Sequence, residues 1–140
     1  MDSEEIENIL SKHCPETFGG VFAADNYTIS RIPCFIVLNT DTAGKSGRHW
    51  ITMFINPEMS EFFDSLGQSP AFYHKSWNIL LQKFSLEYMF NAVRIQEADS
   101  ALCGQYCIYY IMMRNAGIEF MSILDMANSS VVKKFVERLS

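Results

Sequence analysis

Residues 101–115 are the most apolar stretch of this chain. A helix of that composition has to be covered on most sides, so it belongs in the interior of a domain. Strands are the available cover. Residues 34–39 (Cys-Phe-Ile-Val-Leu-Asn) are almost continuously apolar, the pattern of a strand buried on both faces. Residues 49–55 read as a second strand, ended by the Asn56-Pro57 turn. Residues 61–66 read as a third, closed by Gly67, and residues 91–96 alternate as a fourth. Helical spacing predicts a helix over 3–12, capped by Ser3, with Ile6, Ile9 and Leu10 on one face. It predicts another over 71–90, with Trp77, Leu80, Leu81, Phe84 and Tyr88 in a stripe, and short helices over 119–126 and 128–139. Pro15 and Gly19-Gly20 break the pattern between the first helix and the first strand. The expected fold is α+β: a central mixed β-sheet packed against helices, with helix 101–115 buried against it.

A length of 140 residues fits a single domain over residues 1–140, and 49% apolar residues supply a core. The charged fraction of 19% is too low for a disordered chain. A net charge of −5 argues against a broad nucleic-acid surface. No apolar run reaches the roughly 20 residues of a membrane helix, and the acidic opening Met-Asp-Ser-Glu-Glu predicts no secretory signal. Cys14, Cys34, Cys103 and Cys107 are therefore expected as reduced thiols. Cys103 and Cys107 lack zinc-knuckle spacing, so neither a metal nor another cofactor is expected.

The chemistry concentrates around Cys103. Asp99 or Ser100 stands where a helix cap belongs, which sets Cys103 in the first turn. Unpaired N–H groups and the helix dipole there favour a thiolate. Gly104 allows another chain to approach closely. Cys107, one turn deeper, reads as core. Gln96 precedes Cys103 by seven residues, so its side-chain amide can serve as an oxyanion donor. His49 starts an apolar strand and is the candidate base, with Trp50 as a wall that excludes water. Asp64 ends a strand and is the candidate partner of the imidazole. Asp41 and Asp25 are weaker rivals for that role, and His13 and His74 lie in polar helical contexts that suit a surface histidine. Ala43-Gly44-Lys45-Ser46 resembles the end of a phosphate-binding loop, but Asn39 stands where the leading glycine should be and no helix follows. Lys45 and Arg48 read instead as flanks of the site, and Lys133-Lys134 as a solvated helix face.

Several blocks together resemble the adenovirus protease (adenain) family, in the group of cysteine proteases that also includes the SUMO-specific proteases. These are Asn39-Thr40 through Gly47-Arg48-His49-Trp50, then Asn56-Pro57, Phe63-Asp64-Ser65-Leu66-Gly67, and Gln96 through Ser100 to Cys103-Gly104. Cys107 matches a family cysteine, and Gly20-Val21-Phe22 and Cys34 match weaker positions. The resemblance implies a papain-like, adenain-type fold with the nucleophile at the N-terminus of a buried helix. It implies an endopeptidase that cleaves precursor and capsid polypeptides of a virus, or of an integrated virus-like element, after glycine, in the host nucleus or cytoplasm and in the virion. By position, Cys103 is nucleophile, His49 general base and acid, Asp64 orienter and Gln96 oxyanion donor, with Trp50 and Gly104 toward the substrate. Adenain is basic, carries Glu at the orienting position, and is stimulated by DNA and by a peptide that pairs with one of its cysteines. This chain is acidic, carries Asp64 and lacks a clear counterpart of the pairing cysteine, which argues against both activators. Asp64 is also what the SUMO-protease branch uses, so a SUMO- or ubiquitin-like modifier protease of the same chemistry is the alternative.

Overall fold

A computed structural model describes residues 1–44, 49–97 and 100–140. Helix α1 spans Ser3–His13. It is capped by Asp2 rather than Ser3, because the Asp2 carboxylate accepts from Glu5 N while the Glu5 side chain accepts from Asp2 N, a reciprocal capping box. Strand β1 (Phe18–Phe22) follows, where glycines had read only as a break. Strands β2 (Cys34–Asn39), β3 (Trp50–Ile55) and β4 (Met59–Phe63) come next, then helices α2 (Pro70–Tyr73) and α3 (Lys75–Phe84) and strand β5 (Glu87–Phe90). Helices α4 (Cys103–Asn115), α5 (Phe120–Met126) and α6 (Ser129–Leu139) complete the order, α6 capped by Asn128.

The sheet runs β1-β2-β3-β4-β5 and is mixed. β1 lies parallel to β2, β2 and β4 antiparallel to β3, and β5 parallel to β4. The continuous apolar run of β2 is explained by two separate cores, one on each face of the sheet. Phe35 and Val37 enter the core under α1, α4, α5 and α6, while Cys34, Ile36 and Leu38 enter the core under α3. All of β2 is buried, as a central strand covered on both faces must be.

Helix α4 is the hub of the larger core, with every residue from Tyr106 to Ile111 buried. Glu61 of β4 ties it down. Its carboxylate accepts from Tyr110 Oη at 2.5 Å and from Arg114 Nη2 at 2.8 Å and Nε at 3.0 Å. A carboxylate that is 3% exposed is tolerated only with such partners.

Three expected boundaries move. The predicted helix 71–90 is α2, α3 and then β5, because Ser85 leaves helical geometry with extended backbone and the chain turns back to pair with β4. Residues 91–96 alternate but form no strand: Asn91 and Gln96 are instead held by the turn after β4. β4 ends at Phe63, so Asp64 and Ser65 lie just beyond the sheet, free to direct their side chains into a turn.

Candidate active site

Antiparallel pairing brings the first pair of groups together. β3 and β4 are registered with Thr52 opposite Phe63 and Met53 opposite Phe62. Continued outward, that register sets the start of β3, with His49, beside the end of β4, with Asp64. His49 Nε2 and Asp64 Oδ1 are 2.5 Å apart, with the histidine 8% and the aspartate 0% exposed.

Asp64 is held by four further groups. Leu66 N and Gln68 N each donate to its carboxylate at 3.0 Å, and Tyr73 Oη donates at 2.6 Å. Asn91 clasps its backbone, accepting from Asp64 N at 3.0 Å and donating to Asp64 O. Burial alone would raise the carboxyl, but the hydrogen bonds from His49 and Tyr73 outweigh it and hold it below the usual range. Tyr73 itself, buried against that charge, is pushed up and stays a neutral donor.

His49 lines the same groove as Cys103, the first residue of α4, and the two influence each other's titration. Burial opposes a charge on the ring, yet the hydrogen bonds to Asp64 and Cys103 and their negative charges raise it to about 9. Burial likewise opposes a thiolate, yet the bond to His49 and those from the backbone N–H groups of Trp50 and Gly104 lower Cys103 below an ordinary thiol. The two shifts act in the same sense, each favouring the charged form, thiolate on Cys103 and imidazolium on His49. Such a pair is what attack on a carbonyl carbon requires.

Among the described residues, none caps α4 with its side chain. The residue at the N-cap is Leu102, with no side-chain cap hydrogen bond. Ser100 instead offers its carbonyl to Gln96, and Asp99 lies outside the described residues. The first-turn N–H groups of α4, Cys103 N among them, have no intrahelical partner. Gln96 Nε2 donates to Ser100 O at 2.8 Å, and Gln96 Oε1 accepts from Ser65 Oγ at 2.5 Å.

A groove of about 900 Å³ runs past these groups and is lined by His49, Trp50, Gln96, Ser100 and Cys103, and also by Asp41 and Arg94. Trp50 borders it and donates from Nε1 to Met1 O at 3.2 Å. Gly104 is buried beneath α1: a Cβ there would stand 3.2 Å from Met1 Cβ and 3.3 Å from Ile6 Cδ1. The open side of that glycine is therefore taken by this chain's own α1. Asp25 is engaged elsewhere, accepting from Ala43 N at 2.8 Å. His13 and His74 bond backbone carbonyls of Leu139 and Thr40, away from the cysteine. Cys107 is 1% exposed, and burial pushes its thiol well up. Lys45 and Arg48 lie outside the described residues. All four cysteines are free thiols. Among the described residues, no cluster of His, Cys, Asp or Glu could hold a metal ion, and no helix is long and apolar enough to cross a membrane.

Sequence reasoning missed Tyr73 and Ser65. Tyr73 was assigned to one long helix, and nothing in its spacing distinguishes it. Ser65 had a signal, its adjacency to Asp64 in Phe63-Asp64-Ser65-Leu66-Gly67, but its partner is 31 residues away.

No family model matches the chain. The protease of Ovine adenovirus D serotype 7 (isolate OAV287) is 26% identical over 129 residues, covering 76% of this chain and 61% of that protein. The crystal structure of ASFV pS273R protease superposes with a TM-score of 0.74 at 18% identity, covering 96% of this chain and 64% of that one. Its selenomethionine form gives a TM-score of 0.57 at 24% identity, over 74% of this chain and 43% of that one. This chain thus spans about three fifths of the length of the adenovirus relative, and it has the α+β fold of the ASFV protease.

Proposed function

We propose that residues 1–140 are a cysteine protease domain that cleaves viral precursor and capsid polypeptides after glycine. One observation carries the reading: His49 Nε2 is paired with the buried Asp64 carboxylate at 2.5 Å, and His49 and Cys103 line one groove and shift each other's titration. The viral proteases it resembles in sequence and fold support polypeptide substrates, and the adenain-type motifs support glycine before the scissile bond.

In this reading the Cys103 thiolate attacks the glycine carbonyl carbon, forming a C–S bond while the carbonyl π electrons move onto oxygen. The oxyanion is met by the Cys103 N–H and the Gln96 side-chain amide. As the carbonyl re-forms, the C–N bond breaks and imidazolium delivers its proton to the leaving amine. Water then gives a proton to His49 as its oxygen attacks the thioester, and the C–S bond breaks to restore the thiolate and release a carboxylic acid, which loses its proton to solvent. Asp64 keeps the ring aligned through both proton transfers. Trp50 walls the groove and Gly104 lies behind the nucleophile. A net charge of −5 supports catalysis that needs no DNA, and no peptide activator is invoked. Substrates of this kind would be met in the virion and in the host nucleus or cytoplasm.

The test is cleavage of a peptide library with glycine before the scissile bond by wild type and by Cys103→Ala. Wild type should cleave it and Cys103→Ala should lose about 10³-fold or more. Cleavage surviving unchanged in that variant sinks the proposal. Rapid labelling of Cys103 by a ubiquitin-type vinyl sulfone, without cleavage of the capsid-type peptides, would assign the same chemistry to a modifier protease instead.

A further inference from the structure

The orientation of the Gln96 amide is decided by one neighbour. The oxygen and nitrogen of a glutamine amide have nearly the same shape, so the hydrogen-bond network alone selects which points where. Ser100 O only accepts, so it demands Nε2, and the contact is 2.8 Å. Ser65 Oγ–H then donates to Oε1 at 2.5 Å. Nε2 carries two hydrogens and spends one on Ser100 O. The other is left for the groove that Gln96, Ser100 and Cys103 line together. Flipped, the amide would set Oε1 against Ser100 O and turn an acceptor toward developing negative charge.

Ser65 also holds the backbone of the same residue. Its carbonyl accepts from Ile95 N at 2.9 Å and from Gln96 N at 3.0 Å. Both side chains are shielded, Ser65 at 1% and Gln96 at 4% exposure, so bulk water does not compete. We infer that Ser65 is a positioning residue: Ser100 O selects which end of the Gln96 amide points where, and the Ser65 hydroxyl holds that oriented amide in place with Nε2–H toward the oxyanion. The adjacent residues Asp64 and Ser65 then divide the task, one aligning the base and the other the oxyanion donor. The inference rests on the protease reading for its catalytic consequence, while the amide orientation can be measured apart from it.

The turn does not need the Ser65 hydroxyl to keep its path. Asn91 clasps the Asp64 backbone, Leu66 N and Gln68 N bind the Asp64 carboxylate, and Gly67 N donates to Asp64 O at 2.8 Å. Ser65→Ala therefore removes the clamp with the turn in place.

The experiment compares wild type, Ser65→Ala, Gln96→Ala and the double variant on a fluorogenic peptide ending in glycine. It also follows alkylation of Cys103 by iodoacetamide against pH. Ser65→Ala should lower kcat about tenfold, part of the 10²–10³ that a lost oxyanion donor costs. KM should stay within about twofold, and the alkylation profile should not move. In the Gln96→Ala background, Ser65→Ala should cost nothing more, since the two act through one contact. Ser65→Thr, which keeps the hydroxyl, should recover part of kcat. Full kcat in Ser65→Ala, an equal loss in both backgrounds, or a shifted alkylation profile overturns the role. If wild type cleaves no peptide, the protease reading fails on its own. The clamp is then judged by the two side-chain N–H resonances of Gln96: a large shift or line-broadening in Ser65→Ala supports it, and unchanged resonances refute it.

Discussion

Cys103 carries the sharpest residue-scale consequence. A free thiol titrates near about 8.5, so little thiolate exists at pH 6. With His49 and two backbone N–H groups holding Cys103 below that value, its thiolate fraction at a given pH exceeds that of a free cysteine. At pH 6, iodoacetamide should alkylate Cys103 about tenfold or more faster than a cysteine in a short peptide, even allowing for the weaker nucleophilicity of a low-pKa thiolate. His49→Ala should remove that advantage, and equal rates in wild type and variant would count against the pair. Cys107 should stay unreacted, because burial pushes its thiol in the other direction. The identities of His49, Asp64 and Cys103 were legible from residue type, order and local pattern. Their partners were less so. Tyr73 and Asn91 reach Asp64 from 9 and 27 residues away, and no local periodicity encodes such contacts.

At the scale of elements, the turn after β4 and the segment after β5 act as one unit. Gly67 makes that possible. Its φ of 76° is left-handed, and an added Cβ would lie 2.6 Å from Val93 C and 2.7 Å from Arg94 N. Backbone cannot yield as a flexible side-chain tip can, so Gly67→Ala must push residues 93–94 outward and take Gln96 with them. Its stability loss should exceed the roughly 1–2 kcal/mol of left-handed strain alone, and kcat should fall. Gly117, at φ 91° with nothing within 4 Å, is the control: Ala there carries the strain without the clash and should leave kcat unchanged. Denaturation midpoints and kcat for the two variants check this, and equal effects would refute it. Here the sequence was misread as a strand over 91–96. The alternation is real, but Asn91 and Gln96 find partners in the turn rather than in a ladder, and β5 forms from residues that helical spacing had absorbed.

At the scale of the molecule, the two opposed titrations at the site make stability insensitive to pH where each alone would not. The raised His49 contributes stability fully below its unfolded value of about 6.5 and loses it as pH rises through about 9. The lowered Cys103 contributes stability above the unfolded thiol value of about 8.5 and loses it as pH falls through its folded one. Below about 8.5, and down to the folded value of Cys103, the folded chain holds an extra proton on His49 and one fewer on Cys103, so the slopes oppose. Wild-type stability should be nearly flat there. Cys103→Ala removes the opposing group and, with it, part of what raises His49, leaving Asp64 as the partner that favours imidazolium. Its unfolding free energy should decline with rising pH at up to about 1.4 kcal/mol per unit. Denaturant midpoints at pH 6.5, 7.5 and 8.5 measure both, and parallel profiles would refute the coupling. The sequence by itself determined the α+β class, the central doubly buried strand, the buried helix behind Cys103 and the residue types able to do thiol chemistry, because these follow from apolar runs and local spacing. Only the tertiary structure decided that α4 starts at Cys103 with Leu102 at its N-cap, that Gly104 lies under α1, and that Ser65 holds Gln96. Those depend on which distant backbone reaches each group first, and a hydrogen bond between residues 31 apart leaves no trace in a periodic pattern.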